Sequence, residues 1–301
     1  MHLMQKSNSF IKAYVAYPAQ GLAAVLFYTF FRVLPVGMAS SIGGFLARTI
    51  GPSLSVTHRA EVNIKRVFPE KSTEEVADIV RGMWDNLGRT VAEYPHVARI
   101  DTLDTSGRVT VEGTDVYGAL SAREGSSIVF SGHFANWELL PATAAQRGIR
   151  TTLVYRAANN PFVDWLFRRR KGHADAAIAP KGVRGARRLF KAMKEGQTIG
   201  ILVDQKMNDG IAVPFFGIDA MTAPALAELA LRFDCPVVPV HVVRQKGATF
   251  KVVIEEPLEV TKSGDRAADV LALMTQVNAR MERWVREAPE QWLWLHNRWP
   301  N

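Results

Sequence analysis

The sequence predicts an α/β protein: a mostly parallel central sheet flanked by helices, led in by an apolar helical segment. Three observations carry this. From about residue 125 onward, short apolar runs rich in Val and Ile alternate with amphipathic stretches of helical period, the pattern of strands joined by crossover helices. The first 50 residues are dominated by uncharged apolar stretches. Three polar residues of chemical interest follow directly on predicted strands, at the edge where open parallel sheets gather their sites.

The elements follow in order. Ala13 to Phe31 carries no charge, and a second uncharged stretch runs from Val33 to Ala47. The first is near the minimum for a bilayer span, although Pro18, Gln20 and Gly21 weaken its start. A single span, a helix lying in the interface and a buried helical hairpin all fit. Membrane association is the favoured reading, because Lys6, Lys12, Arg32 and Arg48 flank the apolar stretches and suit anionic headgroups. Residues 1–50 are therefore assigned to an anchor and 51–301 to a single α/β domain, with a helical lead-in over 51–108. No small-residue cleavage site follows a short apolar core, so the segment is not a signal peptide by form.

Val56 to Val67 and Ser72 to Val91 read as helices separated by Phe68-Pro69. Ser72-Thr73-Glu74-Glu75 has capping-box spacing, and Val76, Ile79, Val80, Met83 and Leu87 form one stripe. Val109 to Val111 suits a short edge strand. Ser127 to Phe130 is a strand, followed by a helix over Asn136 to Gln146 that Gly148 closes. Thr151 to Tyr155 and Ile178 are strands, with a helix over Pro161 to Lys171 between them. In the helix Val183 to Lys194, Ala186, Leu189, Phe190 and Met193 face inward. Thr198 to Val203 is a strand ending at Asp204. Thr222 is placed as the N-cap of a helix reaching Phe233, with Pro224 in its first turn. Val237 to Val243 and Phe250 to Ile254 form paired strands, and Ala267 to Glu287 a long final helix.

Composition narrows the function. The formal net charge is +8 and the sequence pI about 9.7, which favours an anionic partner. The single cysteine, Cys235, excludes a disulfide within the chain and reads as a buried small hydrophobe. No Cys/His cluster has zinc spacing, and there is neither a Walker loop nor a Gly-x-Gly-x-x-Gly fingerprint. No reading motif and no basic surface interleaved with aromatics points to nucleic acid.

The most informative stretch is Ser131-Gly132-His133-Phe134-Ala135-Asn136-Trp137-Glu138, just after the predicted strand. Residues five apart on one continuous helix point about 140° away from each other. His133 and Glu138 can therefore meet only if His133 lies in the loop before the helix. A carboxylate so placed can fix one imidazole tautomer and stabilise its protonated form, and such a base can take a proton from an alcohol near neutral pH. Arg156 and Asp204 also follow predicted strands and belong to the same edge.

These segments together resemble the late acyltransferases of lipid A biosynthesis, the lauroyl/myristoyl acyltransferase family. The resemblance rests on the His133–Glu138 stretch, Val154-Tyr155-Arg156-Ala157-Ala158-Asn159-Asn160-Pro161, Gly200-Ile201-Leu202-Val203-Asp204-Gln205 and Val213-Pro214-Phe215-Phe216-Gly217. Asn86-Leu87-Gly88-Arg89-Thr90 and the tail from Pro289 to Trp299 fit too. The order covers nearly the whole chain. It implies a glycerolipid-acyltransferase-like fold at the cytoplasmic face of the inner membrane. It also implies transfer of a fatty acyl group from acyl carrier protein to a hydroxyl of a lipid A precursor, with the carrier thioester as co-substrate and no other cofactor. The expected partners are acyl carrier protein, the precursor glycolipid and membrane lipids.

On this reading His133 is the general base and Glu138 orients it. Arg156 fixes a phosphate or charge near the reacting carbonyl, or forms a structural ion pair with Asp204. Asp204 orients Arg156, the acceptor sugar or the base. Asn159 and Gln205 are further polar contacts. Backbone N–H groups at the helix start, helped by Asn136, meet the oxyanion. The basic residues Arg168-Arg169-Arg170-Lys171 and Arg184, Arg187, Arg188, Lys191 and Lys194 suit an acidic carrier or phosphates, and equally a solvated face. Phe215-Phe216 suits an acyl channel or the core, and the tail aromatics suit packing or a membrane-facing edge. The rival readings are an acyltransferase for another glycolipid or glycerolipid using acyl-CoA, a thioesterase, and a non-catalytic membrane-binding protein.

Overall fold

The computed structural model describes residues 16–103, 107–154, 160–162, 164, 177–179 and 183–299. The described residues open with two helices, α1 (Tyr17–Val33) and α2 (Val36–Ile50). Leu34 and Pro35 separate them. Leu34 is extended, at φ −80° and ψ 150°, as the residue before a proline prefers. The break shortens the apolar stretch. Over its 17 described residues, α1 covers about 25 Å at 1.5 Å per residue. Among the described residues no helix is long and apolar enough to cross a membrane.

A short helix α3 (Thr57–Val67) leads to α4 (Thr73–Glu93). The expected capping box is present: the Ser72 hydroxyl accepts from the Glu75 backbone N–H, and the Glu75 carboxylate accepts from the Ser72 N–H at 2.8 Å. Val76, Ile79, Val80 and Met83 are buried, as the stripe requires. Helices α2 and α4 cross at backbone contact, since a Cβ on Gly43 or Gly88 would collide with the other's carbonyl. Asp85 of α4 takes both Arg48 of α2 and Arg89. Arg48 is thus an interhelical clamp. A 3-10 turn, Tyr94–Arg99, continues α4.

The remainder is β1 (Val109–Glu112), α5 (Thr114–Ala122), β2 (Ser127–Ser131), α6 (Leu139–Gln146), β3 (Thr151–Val154), β4 (Ala177–Ala179), α7 (Val183–Lys194), β5 (Thr198–Leu202), β6 (Ile211–Phe215), β7 (Ile218–Thr222), α8 (Ala225–Phe233), β8 (Val237–Arg244), β9 (Phe250–Ile254) and α9 (Arg266–Glu287). Among the described residues, seven strands form one sheet in the order β1-β9-β8-β2-β5-β3-β4. Neighbours run parallel except β8 and β9, the strands expected to pair, which do so antiparallel. The mostly parallel α/β architecture expected from the sequence is the one observed.

The sheet is covered on both faces, which is why its central strands are apolar throughout. Ile128, Phe130 and Ile199 share one cluster with Leu189 and Met193 of α7, Leu226 and Ala230 of α8, and Val277, Met281 and Trp284 of α9. Val238, Val240 and Val242 share the other with Leu139 and Ala142 of α6.

Several elements differ from expectation. The helix after β2 starts at Leu139 and not at Asn136, so Asn136 to Glu138 extend the loop. Thr222 ends β7 and caps no helix: its hydroxyl donates to Ala220 O and accepts from Arg298. The hairpin β6–β7 was unforeseen, because Pro214 lies in its first strand and the turn is Phe216-Gly217. Both turn residues have positive φ, 55° and 71°, as a two-residue hairpin turn demands. Glu282 holds the Phe216 N–H at 2.7 Å, steadying a phenylalanine where asparagine is usual. On α7, Ala192 is buried and Ala186 exposed, reversing the expected place of Ala186. The predicted helix Pro161 to Lys171 and Arg168 to Lys171 fall largely or wholly outside the described residues.

Candidate active site

β2 and β5 are adjacent and parallel, with Ser131 opposite Leu202. Their following loops therefore leave the sheet side by side, bringing His133 and Asp204 together. The His133 Nδ1 lies 2.8 Å from Asp204 Oδ1, and the His133 backbone N–H donates to Asp204 Oδ2 at 2.8 Å. The indole N–H of Trp292 donates to the same Oδ2 at 2.9 Å. Gly132 permits this approach, since a Cβ there would press on Asp204 Oδ2 and collide with Met281. The Asp204 side chain is fully buried, while that of His133 keeps 14% exposure. A carboxylate so enclosed is tolerable only when its lone pairs are met, and three donors meet them here.

The orienting hydrogen bond on Nδ1 thus comes from Asp204, the role expected first of Glu138. Glu138 stands at the N-terminal boundary of α6 and acts on His133 through its charge. Burial opposes the charged His133 ring, but the Asp204 charge, its hydrogen bond and the Glu138 charge outweigh it and raise the pKa above the ordinary value. For Asp204, burial favours the neutral acid. The imidazole, its hydrogen bond, the backbone N–H and the His296 ring prevail, holding the carboxyl well below the usual range.

The loop carrying His133 is clamped from two sides. Ala135 sits at φ 43°, a left-handed conformation that costs a non-glycine residue roughly 1 kcal/mol or more. Its N–H donates to Gln291 O, and its carbonyl accepts from Thr90 Oγ1 at 2.8 Å and Asn86 Nδ2 at 3.4 Å. The His133 carbonyl accepts from the Leu293 N–H. Behind the loop, the Arg244 guanidinium holds Glu93 at 2.5 and 3.0 Å together with Asn86 and Thr90. Gln291 pairs with both backbone groups of Arg244.

Asn136 belongs to this support. It is completely buried and gives its amide N–H to Glu93 at 2.8 Å. Its expected place beside an oxyanion is therefore not the one observed. The N–H groups of His133, Phe134 and Ala135 are also spent, on Asp204, Gly132 O and Gln291 O. Gln205 lies at the site, with its amide 3.5 Å from His296 Nε2. Arg156 and Asn159 lie outside the described residues. Phe215 and Phe216 are core residues against Trp299 and Trp292, and the tail aromatics Trp292, Trp294 and Trp299 are packed inside.

Sequence reasoning missed three contributors. His296 puts its ring 5.2 Å from that of His133, and burial lowers its pKa, with the His133 and Arg59 charges adding to the fall against Asp204. Arg244 and Glu93 lie far from the motif in sequence. A lone arginine ending an apolar strand and a lone glutamate closing a helix were the available signals.

Trp137 lies edge-on to the His133 imidazole at 5.0 Å. Leu202 and Met207 are exposed on either side of Asp204, and Phe162 is exposed after β3. Phe162 packs against Gly21 of α1, and Asn160 holds the Tyr17 carbonyl and the Gln20 amide oxygen. Asn160 and Phe162, which follow β3 in the chain, thus hold the start of α1.

The profile of the bacterial lipid A biosynthesis acyltransferases matches residues 11–301, and the chain belongs to that family. It is 26% identical to the lipid A biosynthesis lauroyltransferase of Escherichia coli over 87% of this chain and 83% of that one. It is 22% identical to the palmitoleoyltransferase of the same organism over 79% and 77%. The crystal structure of a 1-acyl-sn-glycerophosphate acyltransferase from Thermotoga maritima aligns at a TM-score of 0.36 and 14% identity, covering 88% of this chain and 98% of that one. That likeness is too remote to bear on function.

Proposed function

We propose that this protein moves a fatty acyl chain from acyl carrier protein to a hydroxyl of a lipid A precursor, at the cytoplasmic face of the inner membrane. The observation that carries the chemistry is the 2.8 Å pair of His133 Nδ1 and Asp204. With the Nδ1 proton given to Asp204, the neutral ring keeps its lone pair on Nε2. That nitrogen takes the proton of the acceptor hydroxyl as its oxygen attacks the thioester carbonyl. The tetrahedral intermediate collapses, the C–S bond breaks, and the thiolate takes the proton from Nε2. Asp204 holds the ring and stabilises the transient imidazolium, and Glu138 adds to that field. No nucleophilic side chain is needed, because the acceptor itself attacks. Arg156 and Asn159 remain proposed substrate contacts, with Gln205 beside them.

The Trp137 ring beside the imidazole and the exposed Leu202 and Met207, which flank Asp204 in the sequence, suit an acyl substrate. The exposed basic residues Arg184, Arg187, Arg188, Lys191 and Lys194 of α7 suit the acidic carrier protein. The exposed apolar stripe Leu22, Leu26, Phe30 and Val33 of α1 supports an interfacial seat for the enzyme in place of a single span. Purified protein with a precursor glycolipid should form the acylated product faster from acyl carrier protein thioester than from acyl-CoA. Release of free fatty acid without acceptor dependence would mark a thioesterase instead. Mass spectrometry of lipid A from cells lacking the gene should show one secondary acyl chain missing.

A further inference from the structure

A cavity of about 520 Å³ opens at the turn between α1 and α2, where the 3-10 segment Tyr94–Arg99 and the approach to β1 meet it. It belongs to none of the site described above. Arg32, Arg99 and Arg108 line it, with His96 and Asp101. Among the described residues, three arginines and one aspartate line it, and His96 leans toward its neutral form. Burial depresses its pKa, and Arg32 and Arg99 push it further down against the Phe31 hydrogen bond and Glu93. His96 is held inside, with Nε2 at 2.7 Å from the Phe31 carbonyl. Arg32 is anchored by the Pro95 carbonyl at 2.9 Å. Arg32 and His96 are thus held in place, and the described lining is cationic.

Its other wall is apolar. Val33, the last residue of the exposed α1 stripe, is 74% exposed and lines the cavity. On the far side of the turn, α2 continues the apolar surface with exposed Met38, Phe45, Leu46 and Ile50. A cationic recess at the end of an exposed apolar surface matches the boundary between acyl chains and headgroups. Guanidinium groups bind phosphate oxygens by paired charge-assisted hydrogen bonds.

We infer that this recess is a binding site for the phosphate headgroup of an anionic bilayer phospholipid, seating the protein in the membrane by its α1–α2 turn. The inference rests on the bilayer reading of the proposed function and adds to it one lipid class and one place. A lipid phosphate, and not a free anion, is its occupant, because Val33 and the α1 stripe run directly into the recess.

The test uses full-length protein and sedimentation with vesicles of phosphatidylcholine, alone or with one part in three phosphatidylglycerol. Arg99→Gln with Arg108→Gln is compared with Lys65→Gln with Lys246→Gln, which removes equal charge from exposed positions that do not line the recess. Wild type should bind the phosphatidylglycerol vesicles more tightly. The arginine variant should lose that preference, weakening on the order of ten-fold, since each basic residue at an anionic surface contributes appreciably. The lysine variant should retain it, and binding to phosphatidylcholine should not change in either. Equal losses in both variants, or no loss in the arginine variant, overturn the inference. Inorganic phosphate that raises the melting temperature of wild type without vesicles, but not of the arginine variant, also overturns it, because the recess then takes a free anion. Wild type bound equally to both vesicles rejects the recess and leaves the bilayer reading standing. Wild type bound to neither rejects both.

Discussion

Two histidines among the described residues, His133 and His241, each lie beside a carboxylate, and they end with opposite properties. At the rim of the parallel strands, His133 meets Asp204 at 2.8 Å in a hydrogen bond, and its pKa is raised. In the antiparallel pair β8–β9, His241 stands 3.7 Å from Glu255. Burial pushes its pKa down to about 4 even though Glu255 opposes the fall. Glu255 is already claimed by Arg280, Arg283 and the indole of Trp284, each at 2.6 Å. Among the described residues, His241 Nδ1 has no hydrogen-bond partner. A carboxylate makes a base of its neighbouring imidazole only when stronger cations have not taken it first. His241 is a packing residue stacked on Trp284 at 4.3 Å, whereas His133 is the proposed base.

The largest effect should separate these two rings. His133→Ala should lower the acyl-transfer rate by a factor of about 10² to 10⁴, while His241→Ala should leave kcat within a few-fold. Asp204→Asn should cost about 10² or more, because an amide can hold the ring in the wrong tautomer. Steady-state kinetics of folded variants checks this, and comparable losses at both histidines would erase the distinction. The acid limb of kcat/KM should also lie above pH 6.5, the usual imidazole value, and move down in Asp204→Asn.

The sheet and its site were legible to different degrees. Strand and helix order could be read because the core strands are continuous apolar runs and α4 and α9 carry strong periodic stripes. The pairing of His133 with Asp204 was only half legible. Both residues ended predicted strands, but which strands are neighbours is a property of topology, and the nearer Glu138 drew the assignment. The clamp around Ala135 was hidden for the same reason. Glu93, Arg244 and Gln291 converge from three distant segments, and none carries a local pattern. The β6–β7 turn was hidden because Phe216 adopts a conformation that its own chemistry disfavours.

The clamp yields the next effect. Arg244 and Glu93 have side chains 8% and 0% exposed, and breaking a buried pair leaves an uncompensated charge or donor, costing about 3–5 kcal/mol. Glu93→Gln should lower the unfolding free energy by an amount near the lower end of that range and reduce kcat at temperatures where the protein is still folded. Denaturant titration gives the first quantity and kinetics the second. Unchanged kcat in the destabilised variant would show that the clamp serves stability alone.

The two histidines should also tilt stability against pH in opposite senses. His241 titrates near 4 when folded and near 6.5 when unfolded. Between those values the unfolded chain binds more protons, so stability falls as pH drops, by up to roughly 3 kcal/mol. His133 has a raised folded pKa, so its contribution is fully present below about pH 6.5 and is lost as pH rises through the folded value. Denaturant midpoints of wild type and His241→Gln across pH 4.5 to 6.5 should differ in slope. Parallel curves would place His241 among ordinary imidazoles.

The smallest effect concerns the carboxylate that the motif itself supplies. Glu138 acts on His133 by charge, and contributes less than either the charge or the hydrogen bond of Asp204. Glu138→Gln keeps the size of the side chain and removes that charge. The rate should fall about ten-fold, the equivalent of one 1.4 kcal/mol step, and the acid limb of kcat/KM should move down slightly. If Glu138→Gln instead costs more than Asp204→Asn, the order of the two carboxylates is reversed during turnover. The loop from Asn136 to Glu138 would then have to close on the imidazole once substrate is bound.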